Sequence, residues 1–510
     1  MATTPPKLVL CVIDAMAPEM MERAIAAGTA PVLARLVEEG HYVPGCVAAF
    51  PSVTPVCAAS IVTGHAQDAH HIPAMNWFHR EENRYIEYGS SFRAVQRFGI
   101  ARQLTDTVYN MNRVHLAAAT PTVFESLDDA DVRTAGTTYL MYRGRYRHEP
   151  QRDSALTRVA AALMRHPVMG PRELFYADIF ASRPTGCRSV LGMPGVRDRH
   201  SGCVSAYMVE HDLFDFLLLS LPDNDWYSHK KGPDAQVESI AQADLQLARV
   251  AEAAGGLDRF LEEHAVIVMA DHSQAPVSET IALQDELAEL GVLGPGRPAR
   301  GTRGADAAAE PRIAVCPSQR AAMVYALEES ERDAMRASVT AIARGIAGVD
   351  LIAWLERDAH ERPREGVILS PRHGELRFAP GGELLDDRGA SWSVDGELAA
   401  LDGTIADGRL RTPSYPDALA RVWAALLCPT SGEVLLSAAP GYEFIDWGRQ
   451  AHVGGGSHGS LHASDSLGAL VMHGIGLPDP EPELWAIRDV ASLVLRHFGL
   501  GDGLVPAALA

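Results

Sequence analysis

The sequence lacks the segments that would direct a chain to a membrane or anchor it there. No uninterrupted apolar stretch reaches the length of about 20 residues that a membrane-spanning helix requires. The first residues, MATTPPK, hold no apolar core of a signal peptide before the first predicted strand begins. We therefore expect a cytoplasmic protein with no membrane partner.

Positive charge is also scarce in this chain. Its 510 residues include 45 Lys and Arg against 65 Asp and Glu, which gives a formal net charge of −20. Because nucleic acids and anionic membranes are bound through basic surface, this balance argues against a nucleic-acid polymer as a partner. A small anionic substrate remains compatible with it, since bound metal ions would dominate the field inside a site.

Cysteine is sparse and shows no paired pattern. The seven cysteines form no CxxC motif, their number is odd, and Cys11 and Cys57 lie within apolar runs. These features favour reduced, buried thiols over a disulfide framework.

Apolar runs of strand length alternate with helical patterns along the chain. The runs lie at 7–13, 132–138, 215–221, 265–270 and 467–473, and the helical patterns include 18–27, 153–165 and 234–254. Near-continuous apolar strands that alternate with helices predict an α/β fold, with a mostly parallel central sheet covered by helices on both faces. In such sheets, sites form at the carboxyl ends of the strands.

The chain changes character after residue 300. Residues 294–311 are rich in Gly, Pro, Ala and Arg and indicate a loop or linker. Residues 312–430 combine a strand-like RIAVCP, a charged helix near 329–345 and short strands with Gly and Asp turns. We predict an inserted α+β cap at 301–430, between a first part of the core at 1–300 and a second part at 431–510.

Acidic and histidine residues follow several of the predicted strands. Such residues are costly at strand ends unless something uses them. Three Asp and three His provide the oxygen and nitrogen ligands that suit two divalent metal ions, with zinc favoured. The residues are Asp14 after KLVLCVI, Asp225 and His229 after FDFLLLSLP, Asp271 and His272 after AVIVMA, and His458 in GGGSHG.

Two carboxylates compete for the role next to His229. Asp225 lies four residues before His229, so one helical turn can direct both side chains at a single ion. Asp223 lacks this spacing and is typical of a turn or cap residue. We therefore predict that Asp225 is the ligand.

The segment FPSVTPVCAAS supplies a candidate nucleophile. Thr54 precedes Pro55 and an apolar helical stretch. A Thr N-cap followed by Pro is an ordinary helix start, and this is the structural interpretation. In the functional one, the helix N-terminus holds an anion beside the hydroxyl, and a metal ion activates that hydroxyl as a nucleophile. Ser52 is the next candidate.

Glycines and arginines give two weaker motifs. Gly454, Gly456 and Gly459 form a GxGxxG pattern, but it follows no clear strand and opens no clear helix, which excludes a dinucleotide site. The glycines instead favour a close approach of the backbone that carries His458.

The run RGRYRH at 143–148 is most simply a solvated loop. Its alternative is a clamp for a substrate phosphate or carboxylate, formed by Arg143 and Arg145.

Taken in order, these motifs resemble the alkaline phosphatase superfamily, and within it the type I phosphodiesterase/nucleotide pyrophosphatase branch. The resemblance covers nearly the whole core and implies an alkaline phosphatase-like sheet with two zinc ions. It implies that Thr54 forms a phosphothreonine that is then hydrolysed, and that Asn76 in HIPAMNWF stabilises the transition state. It divides the metal ligands into two sets: Asp14, Asp271, His272 and the Thr54 oxygen for one ion, and Asp225, His229 and His458 for the other.

The substrate is less well defined by the resemblance. PVCAAS after Thr54 departs from the nucleotide-cleaving pattern, and residues 76–148 show no obvious nucleotide pocket. We predict a phosphodiester or pyrophosphate hydrolase acting on a small phosphorylated substrate. The alternatives are a phosphomonoesterase or a phosphonoacetate-like hydrolase of the same superfamily, and, from another class, a non-catalytic binding protein on this scaffold. The sequence leaves open whether the chain forms a homo-oligomer.

Overall fold

The computed structural model describes residues 5–153, 157–158, 164–295 and 311–501. Among these residues, no helix combines the length and the apolar character that crossing a bilayer requires. The predicted helix at 153–165 and the predicted linker at 294–311 fall largely outside the described ranges, so both remain predictions.

The strands of the described residues form two large sheets and three small ones. They are β1 (Lys7–Ile13), β2 (His41–Val47), β3 (Asn76–His79), β4 (Arg84–Glu87), β5 (Thr134–Thr137), β6 (Tyr146–His148), β7 (Val168–Gly170), β8 (Glu173–Tyr176), β9 (Phe180–Ala181), β10 (Phe216–Leu221), β11 (His264–Met269), β12 (Ala275–Ile281), β13 (Ile313–Ser318), β14 (Ala321–Ala326), β15 (Val349–Arg357), β16 (Pro363–Ser370), β17 (Gly374–Leu385), β18 (Ser391–Gly396), β19 (Thr404–Ala406), β20 (Arg409–Arg411), β21 (Val434–Ala438), β22 (Gly441–Phe444), β23 (Gly456–Ser457) and β24 (Leu467–His473).

Helices cover the sheets and connect the strands. The α-helices are Pro18–Ala26, Pro31–Glu39, Thr54–Thr63, Gln67–His70, Phe92–Phe98, Ile100–Thr105, Val123–Asp129, Arg197–Glu210, Asp223–Lys231, Gln236–Ala253, Leu257–Glu263, Leu283–Glu286, Arg332–Ala343, Ala418–Leu427, Ala463–Ser466 and Asp489–His497. A π-helix spans Asp106–His115.

The first large sheet confirms the predicted α/β fold. Its order is β2-β24-β11-β1-β10-β5-β8-β9. Strand β1 pairs in parallel with β10 and β11, and β5 pairs in parallel with β10 and β8. Antiparallel pairing is confined to the margins, where β24 joins β2 and β11 and where β9 joins β8.

Both faces of this sheet are buried, which explains the continuous apolar runs of the sequence. Successive side chains of β1 point to opposite faces. Leu8, Leu10 and Val12 pack into one hydrophobic cluster, and Val9, Cys11 and Ile13 pack into another. Each such side chain contributes about 1.5–3 kcal/mol through burial.

The parallel order brings distant segments to one edge. The carboxyl ends of the neighbouring strands β11, β1 and β10 lead into Asp271–His272, Asp14 and the Asp223–Lys231 helix. Residues far apart in sequence therefore meet where ligands bind in sheets of this kind.

The second large sheet is mainly antiparallel, in the order β13-β14-β21-β15-β16-β17-β20-β19, with β18 paired to β17. Its first strand and the Arg332–Ala343 helix agree with the strand predicted at RIAVCP and the helix predicted near 329–345. Strand β21 pairs with β14 and β15, so this sheet extends to Ala438, past the predicted end of the cap at 430. The domain boundaries themselves remain predictions.

One pair of cysteines differs from the expectation. Cys187 and Cys203 form a disulfide with a Cα–Cα distance of 5.9 Å, so the prediction that all seven thiols are reduced is wrong for these two. Their separation of 16 residues matches no short motif, and only the fold brings them together. The remaining cysteines are free and buried, as predicted: Cys11, Cys46, Cys57, Cys316 and Cys428.

A buried ion pair connects the second sheet to the loop after His458. Arg320, in the turn between β13 and β14, donates to Asp465 over 2.8 Å, and both side chains are fully buried. The Arg320 backbone N–H donates to the carbonyl oxygen of His458. Asp465 accepts from the backbone and the hydroxyl of Ser460. The pair therefore fixes both sides of Gly459.

We predict that Arg320→Met destabilises the protein by about 3–5 kcal/mol, because it leaves the Asp465 carboxylate buried without its partner. Denaturant unfolding measures this loss. Arg312→Met is the matched control, since Arg312 pairs with Glu331 on the surface and its loss should cost within about 1 kcal/mol. Equal losses for the two variants would contradict the prediction.

Candidate active site

Thr54 begins a helix without capping it. The helix spans Thr54–Thr63, Val53 takes the N-cap position, and no side chain forms the cap bond. The predicted N-cap role of Thr54 is therefore wrong. Its hydroxyl instead lies 3.2 Å from Nε2 of His272 and is partly exposed, whereas the rest of the helix is buried. This hydroxyl is accessible and faces the candidate ligands.

The first ligand group gathers at the ends of β1 and β11. Nε2 of His272 is 3.5 Å from Oδ1 of Asp14 and 3.5 Å from Oδ2 of Asp271. Ligand atoms of these three residues all lie within 4.8 Å of one another. They are the residues that the family resemblance implies for the first ion, together with Thr54.

The second ligand group lies on the ligand helix, Asp223–Lys231, and on the loop of His458. Oδ1 of Asp225 is 3.3 Å from Nε2 of His229 and 3.4 Å from Nε2 of His458. The ligand atoms of Asp225, His458 and His272 also lie within 4.8 Å of one another. The two groups are therefore adjacent, with His272 between them.

All three histidines present the same ring nitrogen. Nδ1 of His229 lies 2.7 Å from the carbonyl oxygen of Gly456. Nδ1 of His272 lies 3.1 Å from that of Ser273, and Nδ1 of His458 lies 2.7 Å from that of Ser52. A carbonyl oxygen only accepts, so each Nδ1 carries the hydrogen and donates it. Nε2 then bears the lone pair in each ring, and in His272 it faces the Thr54 hydroxyl. Histidines are oriented in this way in metal sites.

The buried carboxylates of Asp14 and Asp271 would be stabilised by a cation. Burial raises the pKa of Asp14, and the nearby charges of Asp271 and Asp225 raise it further. Burial also raises the pKa of Asp271. Oδ1 of Asp14 is buried with no hydrogen-bond partner among the described residues. Two carboxylates buried side by side, one with an oxygen that lacks a partner, fit the binding of a divalent metal ion.

The pKa of Asp225 is shifted in the opposite direction, downwards. Burial acts to raise its pKa, but His229, His458 and His272 hold the pKa of Asp225 below the ordinary value. The pKa of His458 is lowered, first by burial and then by the charge of His272. His458 is therefore neutral near pH 7, as a metal ligand has to be.

Asp223 is not brought to the ligand groups. Its carboxylate accepts from the backbone N–H of Gly195 and Asp198 and from the side chain of Arg197. It joins the start of the ligand helix to the neighbouring Arg197–Glu210 helix. Asn224, between the two acids, donates to the carbonyl oxygen of Asp14 over 2.8 Å and fixes the helix against β1.

Glycines and Ser52 allow the loop of His458 to approach the ligand helix. A Cβ atom at Gly455 would overlap the carbonyl oxygen of His229, and one at Gly456 would overlap Gln274. The Ser52 hydroxyl donates to the carbonyl oxygen of Ser460 and accepts from the N–H of Gly459. Ser52 is thus buried and committed to this loop, which makes it a poor alternative nucleophile.

Asn76 begins β3 and is buried behind the same loop. Its backbone N–H donates to the Ser318 hydroxyl, and its Nδ2 donates to the carbonyl oxygen of Ile86 over 2.9 Å. Its Oδ1 has no partner among the described residues. Ser318 leads directly to Arg320, which binds the backbone of His458. One amide hydrogen of Asn76 remains for an oxygen of a ligand.

Arg143 and Arg145 are engaged elsewhere. Arg143 donates to Glu125 and to backbone carbonyl oxygens of residues 116, 117 and 120. Arg145 donates to Glu125 and Asp129. Both guanidinium groups are paired with carboxylates of this chain, so the clamp proposed for them from the sequence gains no support from these contacts.

The residues that support the candidate ligands were not predicted from the sequence. Gln274 donates to Asp225, Arg320 holds the His458 loop, and Glu443 binds His452 beside His229. None follows a strand in a recognisable motif. The adjacency of Gln274 to His272 was the one local signal that could have drawn attention to it.

A family model described as type I phosphodiesterase / nucleotide pyrophosphatase matches residues 8–374. No curated protein matches the sequence significantly.

Solved structures resemble the fold along nearly its whole length. Phosphonoacetate hydrolase from Sinorhizobium meliloti, in complex with phosphonoformate, has a TM-score of 0.53 at 16% identity, covering 97% of this chain and 96% of its own. Murine ectonucleotide pyrophosphatase / phosphodiesterase 5 has a TM-score of 0.53 at 12% identity, covering 97% and 95%. Its human counterpart has a TM-score of 0.52 at 12% identity, covering 96% and 94%.

These structures share the fold of the chain, an α/β fold as the resemblance implied. The chain belongs to the type I phosphodiesterase / nucleotide pyrophosphatase family, whose members are metal-dependent hydrolases of phosphoryl esters and anhydrides. The matched residues include Asp14, Thr54, Asp225 and the Asp271–His272 pair, whereas His458 lies beyond the match.

We predict that Asp225→Ala and Asp223→Ala fail in different ways. The first should weaken binding of the second ion by more than the loss of about 10- to 100-fold that is typical of residues supporting a ligand, because Asp225 is the predicted direct ligand. The second should lower the free energy of unfolding by about 1.5–3 kcal/mol, because it leaves donors of Gly195 and Asp198 unpaired. Metal content and denaturant unfolding measure the two effects. Stronger metal loss in Asp223→Ala would show that the wrong carboxylate was chosen.

Proposed function

We propose that the protein is a phosphodiester or pyrophosphate hydrolase that acts on a small phosphorylated substrate through Thr54. The observation that carries the proposal is the Thr54 hydroxyl, 3.2 Å from Nε2 of His272 and adjacent to two groups of Asp and His ligands. A non-catalytic binding protein is the weaker hypothesis, since a degenerate site should have lost a ligand or the nucleophile.

The ligand sets divide as the family resemblance implies. Asp14, Asp271, His272 and the Thr54 oxygen would hold one zinc ion, and Asp225, His229 and His458 would hold the other. Two such ions supply Lewis acidity that stabilises charge on the attacking and leaving oxygens and lowers the pKa of a hydroxyl.

The residues of this chain then perform a double displacement. The Thr54 oxygen loses its proton and forms a bond to phosphorus while the bond from phosphorus to the leaving group breaks. The leaving group takes the electron pair and is released with a proton in exchange for the one that Thr54 lost. Asn76 donates to a nonbridging oxygen whose charge grows in the transition state. Water then attacks the phosphothreonine, which returns the hydroxyl of Thr54 and releases the second product.

Phosphonate hydrolysis is the second candidate. It is supported by the likeness to the phosphonoacetate hydrolase along almost the whole of both chains. In that case phosphonoacetate and water would give acetate and phosphate at the same ligand groups. Release of phosphate from phosphonoacetate, faster than hydrolysis of any diester tested, would select this candidate.

We predict that Thr54→Ala lowers kcat by at least about a hundredfold, because it removes the nucleophile while leaving the Asp and His ligands in place. Mass spectrometry of the quenched wild-type enzyme should find a phosphoryl group on the peptide that contains Thr54. Thr63→Ala, at the other end of the same helix, is the control for loss of a threonine hydroxyl. Near-wild-type turnover by Thr54→Ala would exclude the mechanism.

We predict that the purified protein holds two zinc ions per chain and loses activity in chelator. The expectation rests on the convergence of carboxylates and imidazoles in two adjacent groups, whose ligand atoms lie within 4.8 Å of one another. Elemental analysis before and after chelation, followed by restoration with Zn²⁺, measures it. Unchanged activity in a protein without bound transition metal would refute the zinc assignment.

We predict that bis(p-nitrophenyl) phosphate is hydrolysed with a higher kcat/KM than p-nitrophenyl phosphate at the same pH. A monoester carries more negative charge and calls for a further cation, yet Arg143 and Arg145 are already paired with carboxylates. A diester needs only the ligand groups and Asn76. A clear preference for the monoester would reject the diesterase proposal.

A further inference from the structure

A buried carboxylate lies behind the second ligand group without belonging to it. Glu443, in β22, is only 2% exposed. It accepts from the backbone N–H of His452 over 2.6 Å and from the Ser457 hydroxyl over 2.9 Å, and it lies 2.8 Å from Nδ1 of His452. All of these partners belong to the segment that leads to His458.

This carboxylate is charged in spite of its burial. Burial acts to raise the pKa of Glu443, but the hydrogen bond and charge of His452, with the charge of His229, hold it below the ordinary value. Since a carboxylate only accepts, Nδ1 of His452 carries the hydrogen and donates it. The His452 ring is therefore fixed at its backbone and at one ring nitrogen.

The ring of His452 lies against a candidate metal ligand. The centroids of the His452 and His229 rings are 4.1 Å apart, with 31° between the planes. On its other side, His229 donates from Nδ1 to Gly456. The segment from His452 to Ser457 thus holds His229 by its ring face and by its edge.

His229 needs such support more than the other two histidines do. Its side chain is 11% exposed and lies in the last turn of the ligand helix, whereas the side chains of His272 and His458 are 0% and 1% exposed. Those two rings stack on each other with centroids 3.7 Å apart. His229 stands outside that stack, and His452 is the ring nearest to it, at a shorter centroid distance than His458.

We propose that Glu443 and His452 form a positioning pair that fixes the ring of His229 and so retains the ion of the second ligand group. Neither residue is a ligand or touches the substrate in this role. Partners of ligating histidines typically change metal affinity by about 10- to 100-fold. The inference rests on the proposed function only through the assignment of Asp225, His229 and His458 as ligands.

Zinc retention tests the proposal on the full-length, zinc-loaded protein. His452→Ala should weaken the second ion by about 10- to 100-fold and leave the first unchanged. Zinc bound per chain, measured by elemental analysis after dialysis against buffers of graded free Zn²⁺, gives both affinities. The matched control is His360→Ala, which removes an exposed histidine from the turn between β15 and β16 and should bind like the wild type.

A second variant separates positioning from a general effect on folding. His452→Phe keeps an aromatic ring against His229 but removes the hydrogen bond to Glu443, so its second ion should be held with an affinity between those of the wild type and His452→Ala. Two ions bound as tightly by both variants as by the wild type would overturn the proposal. A wild-type protein that binds no zinc would instead overturn the ligand assignment, and with it the proposed function.

Discussion

Three carboxylates buried at one edge of a parallel sheet set the main constraint on this molecule. Asp14, Asp225 and Asp271 come from three strands that are neighbours in the sheet, so the topology brings like charges together. Burial and mutual repulsion raise the pKa of Asp14, while histidines offset the charge of Asp225. Without compensating cations such a cluster would oppose folding. The surrounding residues hold the carboxylates and histidines of this cluster in place.

That organisation depends on backbone groups more than on side chains. Each histidine of the groups donates a hydrogen bond from Nδ1 to a backbone carbonyl oxygen, of Gly456, Ser273 or Ser52. The second large sheet takes part through the Arg320–Asp465 pair, which holds the loop of His458. An insertion that looks separate along the chain therefore shares the geometry of the candidate site.

The sequence predicted the parts of the structure that follow from local patterns. The continuous apolar run of β1 gave its bounds because both faces of the strand are buried, and Asp14 follows from that placement. The Cys187–Cys203 bond, the course of β21 and the partners of Glu443 depend on contacts between distant segments, which no local period encodes. Thr54 was predictable in part. The sequence located the start of its helix, but only the fold shows that its hydroxyl faces His272 and does not cap the helix.

The paired arginines narrow the chemistry that the site can perform. An arginine that stabilises a dianionic monoester has to present free N–H groups to the substrate. Those of Arg143 are directed at Glu125 and at backbone carbonyls, and freeing them would remove one of the two arginine partners of a largely buried carboxylate. Arg143 and Arg145 would then supply no positive charge to a substrate while these pairs persist. A singly charged diester would be matched by that arrangement better than a dianionic monoester or phosphonate would be.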